Sequence, residues 1–488
     1  MVAEPIIKVR LANRFASLVG PYPSKLSDLF SFRTDGYFWS PLYRQGVWDG
    51  RLRMIRHSRI AAGLFLEMRE DAAAAGFQFK IEDCRKAPNF RTKDTDSSRE
   101  FQVECMEALV ENSNCGGIVL CATGTGKTHI AGMYFRKLKG AGLFVVDERM
   151  LMQQAAADIA QVIQEPVGLV GDTKFQPERI TVATVQTLQK HKNDPRFQAW
   201  QKSVEVMFID EIHQQTNKRS KEVIQSFSPL AVFGLTATLQ MEKPKVRMEA
   251  TALAGPVIYR YPIKQGVADK HLTPGIVIGL DLYRQSHVDA YTSQDLYDLH
   301  VVRSKSRNQM IEDLVAEAVR RGKSVLVLVD RIEHIKRLRK RFESRNLIVG
   351  LMYGKIKTKD RLQAKENIER SRIDVILANR VAKKGISMNI IDVIIDNADM
   401  RSQNDAVQKY GRGTRLCDGK RGLLYFDVGE HVQFGQINNL QSRARSRRRA
   451  FKKIDIPVFC HRYEAASIAF DFAERKLKRY LSKLRKAV

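Results

Sequence analysis

Cys121-Ala122-Thr123-Gly124-Thr125-Gly126-Lys127-Thr128 follows an apolar run of strand length, Gly117–Cys121, and opens a stretch of helical character over 128–139. A strand that passes through two glycines into a helix is the setting of a phosphate-binding loop. The glycines let backbone amides turn toward the β- and γ-phosphates, the lysine brings a point charge to them, and the adjoining hydroxyl can ligate Mg²⁺. Thr123, Gly124, Thr125, Gly126, Lys127 and Thr128 are therefore the expected contacts to a nucleotide's phosphates, with Mg²⁺ carried on the nucleotide. Cys121 stands where such loops usually begin with glycine.

Outward from this loop, short apolar runs recur at 143–146, 180–185, 206–209 and 231–235, with helix-compatible stretches such as 150–163 between them. Strand, helix, strand over about 150 residues predicts a parallel sheet wrapped by helices. The alternation resumes at 324–329, 348–352, 374–377, 393–396 and 423–426, which predicts a second α/β lobe. Between the two, residues 251–274 hold Gly255, Pro256, Pro262, Gly266 and Pro274, the turn chemistry expected of an interdomain linker.

Asp210-Glu211-Ile212-His213 follows the run 206–209, 83 residues after Lys127. The carboxyl end of a strand is where open α/β sheets place ligands. There Asp210 would hold Mg²⁺ through water, and Glu211 would orient and deprotonate the attacking water. In the second lobe, Gln408-Lys-Tyr-Gly-Arg412-Gly-Thr-Arg415 places two arginines three apart, expected on one side of a helix. They would reach across a cleft to the γ-phosphate, so that hydrolysis depends on closure of the two lobes.

The chain has 488 residues, with 82 Lys and Arg against 54 Asp and Glu, a net charge of +28. Such an excess calls for a polyanionic partner, either nucleic acid or an anionic membrane surface, and 44% hydrophobic residues exclude a disordered chain. No apolar run has the length of a bilayer span and the start lacks a signal-peptide pattern, so neither membrane association nor secretion is expected. Six cysteines without a Cys-x-x-Cys pair read as thiols in a reducing cytoplasm. Residues 431–488 carry +11, including Arg443, Arg445, Arg447, Arg448, Arg449, Lys452 and Lys453 within eleven positions. That run is either a solvated, mobile linker or a set of phosphate contacts. The final stretch, 463–488, spaces Ile468, Phe472, Leu477, Leu481 and Leu484 as an apolar stripe, which favours a helix packed on the second lobe over a partner-binding helix.

Residues 1–90 differ in texture. Tyr37, Phe38, Trp39, Tyr43 and Trp48 interleave with Arg33, Arg44, Arg51, Arg53 and Arg56. Either these rings form the core of a small α/β domain, or they stack on bases while the arginines take phosphates.

Taken in order, these blocks resemble the motifs of superfamily 2 helicases. Arg99-Glu-Phe-Gln102 resembles the family's adenine-reading motif, and Thr236-Ala-Thr238 the motif that couples hydrolysis to strand movement. Residues 180–188, with Thr184 and Gln186, resemble the first lobe's nucleic-acid motif. Residues 325–330 and 378–387 resemble those of the second lobe, the latter including Gly385 and Ser387. Asp-Glu-Ile-His and Gly385-Ile-Ser387 depart from typical DEAD-box RNA helicases, and 146–149 lacks the usual proline. Gly46-Val-Trp48-Asp-Gly50, between Arg44 and Arg51, resembles the amino-terminal domain of phage recombination helicases of the UvsW type.

The resemblance implies two tandem RecA-like parallel-sheet lobes, 91–262 (ATP-binding) and 263–430. A small α/β accessory domain that grips duplex DNA, 1–90, would precede them, and a basic helical extension, 431–488, would follow. It implies an ATP-hydrolysing DNA helicase or translocase acting on branched or forked DNA in recombination, repair or replication restart. Its partner would be duplex, branched or single-stranded DNA, and its place the cytoplasm, the host's if phage-encoded. An RNA helicase of the same superfamily is the alternative, and a binding or annealing protein with a silent motor is a further one.

Overall fold

Near-continuous apolar strands need cover on both faces, and the centre of the chain provides it. In the computed structural model, Ala141–Val146, Ile180–Thr184, Val204–Asp210 and Ala231–Thr236 pair side by side in one sheet. The structure describes residues 6–91, 98–171, 174–191, 193–237, 244–286, 293–353, 363–364, 366–368, 370, 372–379, 389–398, 403–417, 419–434 and 439–486. It divides into two compact units, Met1–Cys121 with Gly126–Tyr261, and Ala122–Thr125 with Pro262–Val488.

The sheet of the first unit has eight strands, in the order Lys174–Gln176, Val167–Gly171, Ile180–Thr184, Ala141–Val146, Val204–Asp210, Ala231–Thr236, Gly117–Cys121 and Val257–Tyr261. Only the outermost, Lys174–Gln176, runs antiparallel. Residues alternate between two cores as the pleat requires. Phe208, Phe233, Val182 and Phe144 pack under helices Lys127–Lys137 and Arg149–Ile163 through Ile130, Tyr134, Phe135 and Ile159. Met207, Ile209, Leu143 and Val145 pack on the other side with Leu188, Phe197 and Val223.

The accessory domain belongs to this unit. Ile7–Leu11, buried at every second residue, pairs antiparallel with Phe15–Val19 and parallel with Phe79–Asp83, and helix Ala62–Ala74 covers the face. Asn13 ties it to the sheet, its amide donating to the carbonyls of Asn114 (3.0 Å) and Leu230 (2.8 Å).

The second unit holds seven parallel strands, ordered Val349–Met352, Val375–Ala378, Val325–Leu328, Val393–Asp396, Leu423–Phe434, Gly275–Ser286 and Val458–Arg462. These are the two RecA-like parallel-sheet lobes, with the small amino-terminal domain and the carboxy-terminal helices, that the fold class anticipated.

Three expectations are corrected. Residues 251–274 are not a linker throughout: helix Pro244–Ala254, strand Val257–Tyr261 and helix Ile263–Ala268 occupy most of them. Val257–Tyr261 pairs with Gly117–Cys121, so Gly255 and Pro256 turn the chain into a strand rather than out of the lobe. The basic run is neither mobile nor wholly exposed. It forms helix Asn439–Lys453, and the chain then returns to add Val458–Arg462 to the sheet. Helix Ala466–Lys486 does pack on the second lobe, with Phe472 and Leu477 of the expected stripe partly buried against its core, but the buried contacts are made by Ala469, Phe470 and Ala473, and Ile468 faces solvent. Among the described residues no helix is long and apolar enough to cross a membrane.

His334, within helix Ile332–Glu343, is fully buried with Nε2 2.7 Å from Asn308 Oδ1, while Nδ1 meets no hydrogen-bond partner among the described residues. Burial, and then Arg307 nearby, push the imidazole down to about 3. The folded value lies below the ordinary 6.5, so the unfolded chain takes up the proton first. Its contribution to stability is full above about pH 6.5 and is lost as pH falls toward 3, by about 1.4 kcal/mol per pH unit. Urea midpoints from pH 7 to pH 4 are expected to fall more steeply for the wild type than for His334→Gln; parallel slopes would refute this.

Candidate nucleotide and nucleic-acid site

Two left-handed glycines shape the phosphate loop. Gly124 has φ +89° and Gly126 φ +85°, conformations that β-carbons resist. A side chain on Gly126 would also run into the Gln102 amide, 2.8 Å away. Thr125 is buried, its Oγ1 donating to the Ala122 carbonyl at 2.8 Å, and Lys127 opens the helix with Nζ 3.2 Å from the Cys121 carbonyl. Thr123 and Thr128 are half-buried. The buried Cys121 lets an apolar side chain fill the space at the strand's end.

Gln102 sits in the first turn of helix Glu100–Glu111, where its Oε1 accepts from the Arg99 backbone amide at 3.2 Å. Phe101 stacks on Tyr261 with centroids 4.0 Å apart, fixing that turn beside the loop.

Val204–Asp210 ends at the carboxylate pair. Glu211 takes a left-handed φ of +48°, strained for a residue with a β-carbon, and its amide donates to Asp210 Oδ1 at 3.1 Å. Burial first, then Glu211 beside it, push Asp210 up to about 7 against the pull of Lys127. Thr236 Oγ1 donates to Glu211 Oε2 at 3.1 Å and lies 2.8 Å from His213 Nδ1, which is 3.3 Å from the same carboxylate oxygen. With its hydrogen given to Glu211, the hydroxyl accepts from His213, which puts the imidazole proton on Nδ1. The bridge aims Glu211 from two buried side chains.

This arrangement fits a nucleoside triphosphate with Mg²⁺. The loop offers amides and a lysine for phosphate, and an aspartate with a raised pKa is matched to a cation. Lys127, Thr128 and Asp210 are the residues that would hold them.

In the second unit, helix Gln403–Gly413 buries Lys409 on Asp396, with Nζ 2.7 and 2.6 Å from the two oxygens, and the Tyr425 hydroxyl donates to the same carboxylate at 2.6 Å. Burial alone would raise Asp396, but Lys409 and Arg447 hold it well below the usual carboxylate range. Lys409 thereby sets the helix's rotation and leaves Gln408 and Arg412 together on its half-exposed face. Arg415 is not on that helix. The helix ends at Gly413, Thr414 turns its hydroxyl back to the Gly411 carbonyl (2.9 Å), and Thr273 Oγ1 donates to the Arg415 carbonyl (3.0 Å).

The expected nucleic-acid contacts divide. Thr184 is buried, with Oγ1 2.9 Å from Thr187 Oγ1, and Thr236 belongs to the carboxylate bridge, so neither hydroxyl lines a strand-binding surface. Gln186 is exposed, and its amide donates to the Asp147 carbonyl at 2.9 Å. Trp48 pins its own loop, Nε1 donating to the Arg51 carbonyl at 2.8 Å, and Arg51 donates to Ser31 Oγ at 3.1 Å. The Arg44 guanidinium lies 5.4 Å from the Trp39 ring centroid. Thr238, Gly385 and Ser387 lie outside the described residues. The Thr236 bridge was missed as a positioning device, and only its motif neighbourhood with His213 could have signalled it.

Three family models match the chain: "Type III restriction enzyme, res subunit" over residues 96–241, "Helicase conserved C-terminal domain" over 306–417, and "DNA helicase UvsW, N-terminal" over 23–82. Among curated relatives, "ATP-dependent DNA helicase uvsW" of Enterobacteria phage T4 is 22% identical, covering 83% of this chain and 86% of its own. An Escherichia coli protein, "Type I restriction enzyme EcoAI endonuclease subunit", is 21% identical over 68% of this chain but only 46% of its own length. Of solved structures, the "ATP-dependent Type ISP restriction-modification enzyme LlaBIII bound to DNA" shares the fold with TM-score 0.55 at 14% identity, over 81% of this chain and 33% of that one. The chain is a superfamily 2 helicase, an enzyme that hydrolyses ATP. Within that superfamily it is of the UvsW type.

Proposed function

We propose that the protein is an ATP-driven DNA translocase that unwinds or branch-migrates forked and branched DNA in recombination, repair or replication restart, in the cytoplasm where that DNA lies. The observation that carries this reading is the coexistence of the aimed Glu211 carboxylate with a UvsW-type amino-terminal domain in one chain.

MgATP, when bound, supplies the phosphoanhydride whose hydrolysis powers the cycle. Gly124 and Gly126 expose loop amides to phosphate, Lys127 adds a cation, and Gln102 with Arg99 reads the adenine. Asp210 holds Mg²⁺, and Glu211 accepts a proton from water in the orientation that Thr236 and His213 impose. Gln408, Arg412 and Arg415 position and stabilise charge on the phosphates. Residues 1–90 grip duplex DNA, 91–262 and 263–430 form the motor, and Gln186, Arg44, Trp48 and Arg51 belong to the DNA-facing surface.

The test is ATP hydrolysis by the purified protein across four-way junction, forked duplex, linear duplex, single-stranded DNA and structured RNA, with Lys127→Ala as the blank. Strongest stimulation by branched DNA is expected. Strongest stimulation by RNA would overturn the DNA assignment, and no Lys127-dependent hydrolysis on any substrate would overturn the motor.

A further inference from the structure

Strands Ser31–Arg33 and Arg51–Arg53 form an antiparallel pair, and the chain between them, Tyr37–Trp39 with Pro41–Arg44, is a compact turn. Of thirteen large apolar side chains exposed among the described residues, four lie within the ten positions 38–47: Phe38 (50%), Trp39 (69%), Leu42 (53%) and Val47 (72%). The accessory domain's core is made instead by Ile7, Val9, Leu18, Phe30 and Phe65, so the rings are not needed to hold it together.

The turn is built to keep them outside. Tyr37 meets Phe38 and Tyr43 edge to face at 5.6 and 4.7 Å, and Phe38 lies 5.2 Å from Trp39. The Val47 and Trp48 amides both donate to the Leu42 carbonyl. Gly50, at φ +79°, lets the chain pass the Tyr37 ring, which a β-carbon would meet at 2.7 Å. Apolar surface held rigid in water calls for an apolar occupant.

Charge identifies the occupant. Residues 31–59 carry six arginines and two aspartates, and one of these, Asp49, is bound by Arg53 at 2.8 Å. Arg33 lies 4.7 Å from the Tyr37 ring centroid, beside the apolar surface that Arg44 also flanks. Flat rings flanked by guanidinium groups suit a base stacked among phosphates. An intact duplex hides its base faces; a branch point exposes the first unpaired one. We infer that the turn from Tyr37 to Val47 is a stacking wedge that receives the unpaired nucleotide at a DNA branch point, on Phe38 and Trp39, with Arg33 and Arg44 on the flanking phosphates. This rests on the proposed DNA-translocase reading and adds its strand-separating element.

The experiment uses the full chain and a forked duplex carrying 2-aminopurine as the first unpaired nucleotide. Wild-type protein is expected to quench its fluorescence by stacking, as is Trp39→Phe. Trp39→Ala and the double variant Phe38→Ala/Trp39→Ala are expected to lose the quenching and to weaken forked-DNA binding about tenfold. The number of base pairs separated per ATP hydrolysed is expected to fall with them. No quenching by the wild type, or quenching and affinity unaltered in the alanine variants, overturns the wedge and leaves the patch to a protein partner. DNA-stimulated hydrolysis by the wild type is read in parallel. Its absence defeats the translocase reading, whereas its presence with an unaltered Trp39→Ala defeats the wedge alone.

Discussion

Glu211→Gln is expected to bind nucleotide about as well as the wild type and to hydrolyse it roughly 10² to 10⁴ times more slowly, the range over which a positioned general base acts. The amide is nearly isosteric with the carboxylate, and its oxygen can still accept from Thr236 Oγ1, so the local fold is kept. What it loses is the capacity to take a proton. The geometry makes this residue the one to replace. Glu211 is held at φ +48° against the ordinary preference of a side-chain-bearing residue, and its Oε2 is fixed by Thr236 at 3.1 Å and His213 at 3.3 Å. Strain is kept where the surrounding structure determines it, most often at sites of function. Thr236→Val, which removes the hydroxyl and keeps the volume, is expected to lower kcat about tenfold with little change in KM, because it frees the carboxylate without neutralising it. Single-turnover hydrolysis with stimulating DNA, beside a nucleotide-binding titration, separates the two effects. An unchanged kcat in Glu211→Gln would remove it from the base role.

What the sequence made readable was local. The phosphate loop announces itself because strand, glycines, lysine and helix are contiguous, and the short strands do so because burial on both faces writes an apolar run into the chain. What it concealed depends on distant partners. Nothing near Arg447 and Arg448 shows that two members of a basic run are buried, since Asp427 lies 20 residues upstream of Arg447 and Asp281 lies 167 upstream of Arg448. Thr184 and Thr236 stand in motifs resembling strand-contacting ones, yet tertiary packing turns both hydroxyls inward. The spacing of Arg412 and Arg415 suits one helical face, but a helix that stops at Gly413 separates them. The aromatic cluster of the accessory domain was equally compatible with a core and with a surface, because composition carries no sign of which residues the strands Ile7–Leu11 and Phe15–Val19 bury.

Asp427→Ala is expected to destabilise the second unit by about 3 to 5 kcal/mol, the cost of breaking a buried ion pair from one side. Asp427 has no exposed surface, and its oxygens accept from Arg447 Nε at 2.7 Å and Arg448 Nε at 2.8 Å. Arg448 then donates to both oxygens of Asp281, at 2.8 and 2.7 Å, and Arg447 and Arg307 both reach the Val428 carbonyl. One carboxylate thus serves two guanidinium groups brought in by helix Asn439–Lys453. Removing it takes the carboxylate from both Arg447 Nε and Arg448 Nε, leaving Arg448 to Asp281 and Arg447 to the Asp396 that Lys409 already occupies, and desolvation that was balanced becomes a net cost. Arg449→Ala, on the exposed face of the same helix, is the control and is expected to stay within about 0.5 kcal/mol of the wild type. Asp427→Leu with Arg447→Met exchanges one charged pair for apolar volume and is expected to recover much of the loss. Urea midpoints of the three variants decide the matter, and Asp427→Ala unfolding with the wild type would show that the network carries no weight. If the expected order holds, Arg447 and Arg448 belong to the fold. The polyanion contact of this basic helix then falls to its exposed side chains, Arg445, Arg449, Lys452 and Lys453.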